Sequence, residues 1–174
     1  GNWTSWSEPA YWQMGLFADD WSAHWIGSAE MESQSVGGRP VDNKMFDPWF
    51  RKTFTLTESL KEALIYVASI GYHELYVNGC KIGNAVLAPS VTDHKSRARY
   101  VTYDISHYLK KGENVIALWL GTSWAVFPAY QRNDKPAIPM ALAQAEITLT
   151  SGSKVRVITD GSWKTHASPN VLMG

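Results

Sequence analysis

The chain has 174 residues, enough for one domain with a sizeable core, and its 45% hydrophobic and 18% charged residues are typical of a globular protein rather than a disordered one. The 16 Lys and Arg residues balance the 16 Asp and Glu residues, so a net charge of +0 gives no reason to expect nucleic acid or a membrane surface as a partner. A single cysteine excludes a disulfide framework and a cysteine-rich zinc site, and no apolar run reaches the ~18 residues that span a bilayer.

The first strands are predicted from short aromatic segments. Residues 11–16 are interpreted as a strand that begins after Pro9, and residues 20–27 as a second strand. Residues 28–47 are polar and contain Gly and Pro, which predicts a long loop. Nine tryptophans stand out in the composition, because tryptophan packs in cores and also stacks on the apolar faces of sugar rings.

Three longer strands are predicted next. The segment WFRKTFTL, residues 49–56, alternates between a mostly apolar and a mostly polar face, which is typical of a strand with one buried side. Residues 62–70 and 115–120 are apolar on both faces. Such strands are expected to lie centrally in their sheets, covered on both sides.

A tight hairpin is predicted at Asn78-Gly79, because both residue types tolerate the positive φ of a type I′ turn. The flanking strands are predicted over residues 72–77 and 80–82. Free cysteines are usually small buried hydrophobic residues, so Cys80 is expected to be buried.

One short amphipathic helix is predicted over residues 105–110, capped by Asp104 and ended by Gly112. The remaining strands are predicted over residues 141–149, 154–159 and 163–166. Strands outnumber helices, turns recur at short spacing and no βαβ pattern appears. The predicted fold class is therefore all-β: an antiparallel β-sandwich of jelly-roll (galactose-binding-like) type with one short helix.

Four segments resemble, in order, the N-terminal β-sandwich domain that precedes the catalytic barrel of bacterial α-L-rhamnosidases. They are DWSAHWIG (residues 20–27), WFRKTFTL (49–56), the long stretch 68–121 and ITDGSWKTHASP (158–169). The leading SWSEPAYWQMGL is similar to the last strand of a fibronectin-like module. The resemblance implies that residues 1–17 are the tail strand of such a module, and that residues 18–174 are the rhamnosidase N-terminal domain, truncated at its C-terminus.

The resemblance also implies a function for the parent polypeptide. The family hydrolyses terminal α-L-rhamnose from glycosides and plant polysaccharides with inversion, using carboxylates of an (α/α)6 barrel. This chain has no run of long helices that would form the barrel. It is therefore expected to be an accessory domain without catalytic residues that packs on the barrel of the same polypeptide. A periplasmic or secreted location is expected, since rhamnose glycosides are met outside the cytosol.

Some relatives of this domain bind L-rhamnose with the help of calcium, which takes oxygen ligands from carboxylates, amides and carbonyls. The loops of residues 83–93 and 124–135 offer such ligands and a stacking aromatic. The candidate residues for sugar or calcium are Asn84, Asp93, Trp124, Asn133 and Asp134. The alternative is that Asn84 and Asp93 serve turns and that Trp124 packs under its loop.

A second possible ligand site is cationic. Lys95, Arg97 and Arg99 alternate on one side of a further predicted strand that ends at Tyr103, and they either clamp an anion such as a uronate or lie in solvent. Three functions remain open on the sequence: an accessory domain that positions a catalytic barrel, a binding module for rhamnose-containing glycans, and an adhesin-like module outside any hydrolase.

Overall fold

The computed structural model describes residues 4–10, 12–28, 35–36, 39–40, 47–94, 96–121, 123 and 138–169. In chain order its strands are β1 (Ile26–Gly27), β2 (Ser35–Val36), β3 (Arg39–Pro40), β4 (Pro48–Leu56), β5 (Leu60–Ile70), β6 (Tyr72–Val77), β7 (Cys80–Lys81), β8 (Tyr100–Asp104), β9 (Gly112–Gly121), β10 (Met140–Leu149), β11 (Lys154–Ile158) and β12 (Lys164–Ala167). Two 3-10 turns, Ala18–Asp20 and Ser106–Tyr108, complete the regular structure of these ranges. None of the helices in the described part of the chain has the length and apolar character needed to cross a membrane.

The strands form two main antiparallel sheets. Sheet I has the order β1-β10-β5-β8, and β11 also pairs with β10. Sheet II has the order β12-β4-β9-β6-β7, and β2 and β3 pair with each other as a separate hairpin. The prediction of an all-β antiparallel sandwich is confirmed, whereas the jelly-roll subtype stays a prediction.

One hydrophobic core lies between the two sheets. Alternate side chains of β5 and β10 enter it from sheet I, and those of β4, β6 and β9 enter it from sheet II. The two strands predicted to be covered on both sides, β5 and β9, differ in how far their outer faces are buried. The outer residues Tyr66 and Ala68 of β5 are buried, whereas Ala117 and Trp119 on the outer face of β9 are only half-buried.

The N-terminal segment of residues 17–25 covers the outer face of sheet I. Trp21 packs edge-on against Tyr66 and Tyr100, with ring centroids 6.4 and 5.5 Å apart. Gln144 of β10 is fully buried beneath the segment, where its side-chain oxygen accepts the backbone N–H of Ser22 at 2.7 Å. The segment packs across the sheet mainly through side chains, with one backbone hydrogen bond from His24 to Thr159, and only Ile26–Gly27 of the predicted strand 20–27 is a strand.

Two other predictions near the N-terminus also need correction. The predicted strand over residues 11–16 is absent from the described residues 12–16, which carry no regular structure. The predicted loop of residues 28–47 contains the β2–β3 hairpin among its described residues.

The predicted hairpin at Asn78-Gly79 is confirmed, with φ angles of 50° and 85° at the two turn residues. The Asn78 side chain extends the turn by donating to Asn114 Oδ1 at 2.9 Å and accepting the N–H of Val115 at 2.8 Å. The expectation for Cys80 is wrong, because its side chain is exposed. Cys80 begins a two-residue strand at the edge of sheet II, next to the turn, where no neighbouring strand covers it.

The chain passes from sheet I to sheet II at Gly71, between β5 and β6. The φ angle of Gly71 is +105°, a conformation that L side chains rarely adopt. A Cβ atom at this position would overlap the carbonyl oxygen of Gly121 at the end of β9. Glycine is therefore required at this corner for both backbone conformation and space.

The predicted helix of residues 105–110 is a single 3-10 turn, Ser106–Tyr108. The N-cap position is occupied by Ile105 and not by the predicted Asp104, although the Asp104 side chain does accept the N–H of Ser106 at 2.9 Å. Ile105 and Leu109 flank the turn and are both buried in the core. Leu109 has extended backbone angles, φ −95° and ψ 153°, which end the turn as its side chain enters the core.

Candidate functional site

The predicted sugar or calcium residues fall into two groups. Trp124, Asn133 and Asp134 lie outside the described residues. Asn84 and Asp93 are both exposed in the loop between β7 and β8. In the described part of the chain, no three His, Cys, Asp or Glu side chains are grouped in a way that would hold a metal ion.

Asp93 takes part in a turn. Its side chain accepts the hydroxyl of Ser96 at 2.9 Å, and its carbonyl accepts the N–H groups of Ser96 and Arg97, each at 3.0 Å. This arrangement matches the alternative interpretation of Asp93 and leaves its calcium role a prediction. Of the predicted cationic site, Lys95 lies outside the described residues and Arg99 donates to the hydroxyl of Ser90 at 2.7 Å.

A buried polar chain that the sequence did not reveal connects the two sheets. The Ser69 hydroxyl donates to the carbonyl of Gly71 at 2.9 Å and so accepts the Nδ1 proton of His73, also at 2.9 Å. His73 Nε2 then accepts the hydroxyl proton of Tyr103 at 3.0 Å. Burial lowers the pKa of His73 to about 4 and raises the pKa of Tyr103 above its usual range.

This chain of hydrogen bonds is structural. Ser69 is fully buried, and its hydroxyl proton is committed to a backbone carbonyl, so the hydroxyl is not available as a nucleophile. The network joins β5 and β8 of sheet I to β6 of sheet II with every side-chain group satisfied.

The outer face of sheet II carries an open groove of about 640 Å³. We call it the aromatic groove, and its lining consists of Trp49, Phe50, Arg51, Tyr76, Ala117, Leu118, Trp119, Lys164, Thr165 and His166. Its volume is within the ~300–1,000 Å³ typical of ligand sites. The N-terminal segment that covers sheet I packs on the opposite side of the sandwich, so this face remains open within the described residues.

Strand register places the two tryptophans of the aromatic groove side by side. Trp49 of β4 lies directly opposite Trp119 of β9 in the antiparallel ladder, so both indoles leave the same face of the sheet. Their ring centroids are 5.7 Å apart with an interplanar angle of 77°, and Trp49 is 41% exposed. Together they form an aromatic platform that solvent reaches.

One side of the aromatic groove is cationic. Lys164 of β12 lies directly opposite Arg51 of β4, and His166 lies opposite Trp49. All three of these polar side chains are exposed. The groove therefore combines an apolar aromatic floor with a rim of hydrogen-bond donors, most of them positively charged.

The other side of this face has a compensated charge. Glu74 of β6 lies opposite Trp119, pairs with Lys81 and accepts the Tyr76 hydroxyl at 2.6 Å. The hydrogen bonds from Lys81 and Tyr76 hold the pKa of Glu74 below its usual range, so it is ionised at neutral pH. Its negative charge is already matched by Lys81 and does not balance the cations on the β12 side.

Comparison with known proteins gives a consistent result. Residues 58–173 match the model of the alpha-L-rhamnosidase N-terminal domain. A curated alpha-L-rhamnosidase of Formosa agariphila is 29% identical over 168 residues, which cover 92% of this chain and 18% of that protein. The first two curated relatives are thus matched over only 18% and 20% of their own length.

Two solved structures show the same relationship in three dimensions. The alpha-L-rhamnosidase from Dictyoglumus thermophilum has a TM-score of 0.76 and 31% identity, covering 90% of this chain and 18% of that one. The Streptomyces avermitilis alpha-L-rhamnosidase, solved in complex with L-rhamnose, has a TM-score of 0.66 and 26% identity, covering 72% of this chain and 12% of that one.

Proposed function

Because the chain belongs to the family of alpha-L-rhamnosidase N-terminal domains, we propose that it is a non-catalytic accessory domain of an α-L-rhamnosidase. The parent enzyme hydrolyses terminal α-L-rhamnose from glycosides or plant polysaccharides. The observation that carries the proposal is the share of length: 92% of this chain matches an alpha-L-rhamnosidase of which it makes up 18%. The remaining part of such an enzyme has ample length for a separate catalytic barrel.

Three of the described carboxyl groups are poorly suited to act as the general acid of a glycosidase. The general acid of a glycosidase needs a carboxyl group whose pKa is raised. Three described carboxyl groups have pKa values displaced from their usual range, Glu74, Asp104 and Asp160, and all three are displaced downward. In each case the largest cause is a side-chain hydrogen bond to the ionised form. Such carboxylates do not donate a proton to a leaving group at neutral pH.

In this role the domain packs on the catalytic barrel of the same polypeptide and fixes the position of the barrel relative to the neighbouring domains. The part of the chain before residue 18 supports such contacts, because it exposes large apolar side chains. Trp6 is 100%, Trp12 92% and Phe17 67% exposed. Exposed apolar surface of this kind often marks a contact with another protein part.

The catalytic side of the proposal is tested with the purified 174-residue chain and a chromogenic α-L-rhamnoside. We expect no release of the chromophore over buffer, and release that scales with chain concentration would contradict the proposal.

The packing role is tested by deleting the corresponding segment from the Formosa agariphila relative. We expect a lower melting temperature of the remaining enzyme, and an unchanged melting temperature would argue against packing.

A second candidate function is a calcium-assisted binding module for L-rhamnose. It is favoured by the Streptomyces avermitilis relative, which was solved with L-rhamnose, and by the exposed Asn84 and Asp93 in the predicted loop. Isothermal titration with L-rhamnose should give heat in the presence of Ca²⁺ and lose it in chelator or in Asp93→Asn. Asp19→Asn, at an exposed aspartate of the N-terminal segment, is the matched control. Absence of heat in both conditions would exclude this function.

A further inference from the structure

The cationic rim of the aromatic groove is unbalanced. Lys164 and Arg51 face each other directly across the β12–β4 ladder, and like charges in this arrangement destabilise a strand pair. The ion pairs within the described residues join other groups, including Glu74 with Lys81. Two exposed cations held side by side without a described carboxylate partner are arranged for an anion that comes from outside.

The floor of the groove adds a second requirement for its ligand. The indole of Trp49 is 41% exposed on the outer face of sheet II, and the indole of Trp119 is in edge contact with it. Together they offer an apolar surface. Pyranose rings present a flat face of C–H groups that packs on such surfaces, while their hydroxyl groups stay in water. A ligand that suits both parts has a sugar-like apolar face and a negative charge.

We infer that the aromatic groove binds an acidic oligosaccharide, with a sugar ring on Trp49 and Trp119 and a uronate carboxylate on Arg51 and Lys164. The planar guanidinium of Arg51 matches the two oxygens of a carboxylate, and Lys164 adds a second positive charge. The site is separate from the predicted rhamnose loop, since β4, β6, β9 and β12 build it. The inference goes beyond the accessory role, because a groove that takes glycan is not covered by the catalytic barrel.

The test is titration of the 174-residue chain with a galacturonic acid trimer and with the same trimer as its methyl ester. The ester keeps the rings and removes the charges. We expect the acid to bind at least about tenfold more tightly than the ester, and added salt to weaken the acid but not the ester. Equal binding of the two forms, or no binding of the acid, would overturn the inference and leave this face to a protein neighbour.

Matched variants locate the site. Trp49→Ala and Arg51→Gln should each weaken the acid trimer about tenfold or more. Trp25→Ala is the control for the first, because Trp25 is 42% exposed on the N-terminal segment. Arg97→Gln is the control for the second, because Arg97 is an exposed cation of the predicted anion clamp. Retained affinity in Arg51→Gln with loss in Arg97→Gln would overturn the inference in favour of the loop.

Lys164→Gln separates a ligand role from a structural one. Removing one of two facing cations should leave the melting temperature of the free chain unchanged or higher, while binding of the acid trimer falls. A lower melting temperature with unchanged binding would show that Lys164 serves the fold and would overturn its assignment. Because none of these readouts uses rhamnoside hydrolysis or L-rhamnose, their failure is distinct from failure of the proposed accessory role.

Discussion

The imidazole of His73 is kept neutral by burial rather than by a neighbouring charge. Its Nδ1 proton is donated to Ser69, and its Nε2 accepts the proton of Tyr103, which reaches it from β8 in the other sheet. A second proton on the ring would have to displace the Tyr103 donor in a site that is 4% exposed. This is why the pKa of His73 lies at about 4, well below its ordinary 6.5.

The stability of the chain should therefore depend on pH in a defined window. Between pH 6.5 and 4 the unfolded chain binds a proton at His73 that the folded chain does not. The contribution of His73 is fully present above pH 6.5 and is lost as the pH falls through the window to 4. The free energy of unfolding should drop by roughly 3 kcal/mol over that range, at about 1.36 kcal/mol per pH unit. Urea denaturation at pH 7, 5.5 and 4 measures this slope.

His73→Gln should remove most of the slope between pH 6.5 and 4, because the amide can hydrogen-bond without titrating. His107→Gln, at an exposed histidine within the 3-10 turn, is the control and should retain it. The same slope in both variants would show that His73 is not its source. Three carboxyl groups also contribute stability that is lost as the pH falls: Glu74, Asp104 and Asp160. Their loss comes at lower pH, because their pKa values are lowered from ordinary carboxyl values.

At the scale of elements, one buried amide helps to hold the N-terminal segment on sheet I. Gln144 accepts the N–H of Ser22 and donates to the carbonyl of Asp20 at 2.9 Å. Gln144→Ala would leave both backbone groups under cover without a partner, so it should lower the free energy of unfolding by about 1–3 kcal/mol. The amide of Ser22 should also exchange with deuterium faster, because the segment lifts more often.

The control for Gln144→Ala is Thr148→Ala, on the same face of β10 and half-buried. It should change stability by well under 1 kcal/mol and leave the exchange of Ser22 unaltered. Equal exchange rates in wild type and Gln144→Ala would mean that other contacts, such as Trp21 packing and the hydrogen bonds between His24 and Thr159, hold the segment.

Elements whose cause is local could be predicted from the sequence. The Asn78-Gly79 turn and the alternating faces of residues 49–56 follow from backbone conformation and side-chain period alone. The segment of residues 20–25 has a strand-like aromatic pattern, but its hydrogen bonds go to groups far along the chain, including Gln144 and Thr159. Such a contact overrides local preference and has no local signal.

Only part of the aromatic groove could be predicted from the sequence, for the same reason. Alternation placed Trp49 and Arg51 on the outer face of their strand. Their partners Trp119 and Lys164 come from strands whose pairing with β4 is set by the topology of the whole sheet. The sequence pattern instead favoured polar loops as the ligand site. Of the five candidate residues in those loops, only Asn84 and Asp93 lie in the described part of the chain.

At the scale of the whole molecule, the two sheets share one core and should unfold together. Leu118 is 1% exposed in β9 and lies opposite Phe50 and Leu75 in the neighbouring strands. Leu118→Ala should lower the free energy of unfolding by about 2–5 kcal/mol, because it removes buried contacts and leaves a cavity. Far-UV circular dichroism and tryptophan fluorescence should report the same urea midpoint.

Leu87→Ala makes the same chemical change at a site that is 66% exposed, and should cost less than about 0.5 kcal/mol. Two separate midpoints in Leu118→Ala would show that the sheets melt independently.

The sandwich is also asymmetric: residues 17–25 cover the outer face of sheet I, whereas the aromatic groove leaves sheet II open. Binding activity is therefore expected on the sheet II side.

The corner at Gly71 limits how this domain can be recombined with its relatives. Gly71 and the carbonyl of Gly121 fit against each other with no room for a methyl group, although they belong to distant parts of the chain. A chimaera that takes residue 71 from a donor with a bulkier residue would inherit a clash with that carbonyl. Gene shuffling should therefore always keep glycine at position 71, whereas Gly161, with open space around it and no positive φ, is a tolerant crossover point.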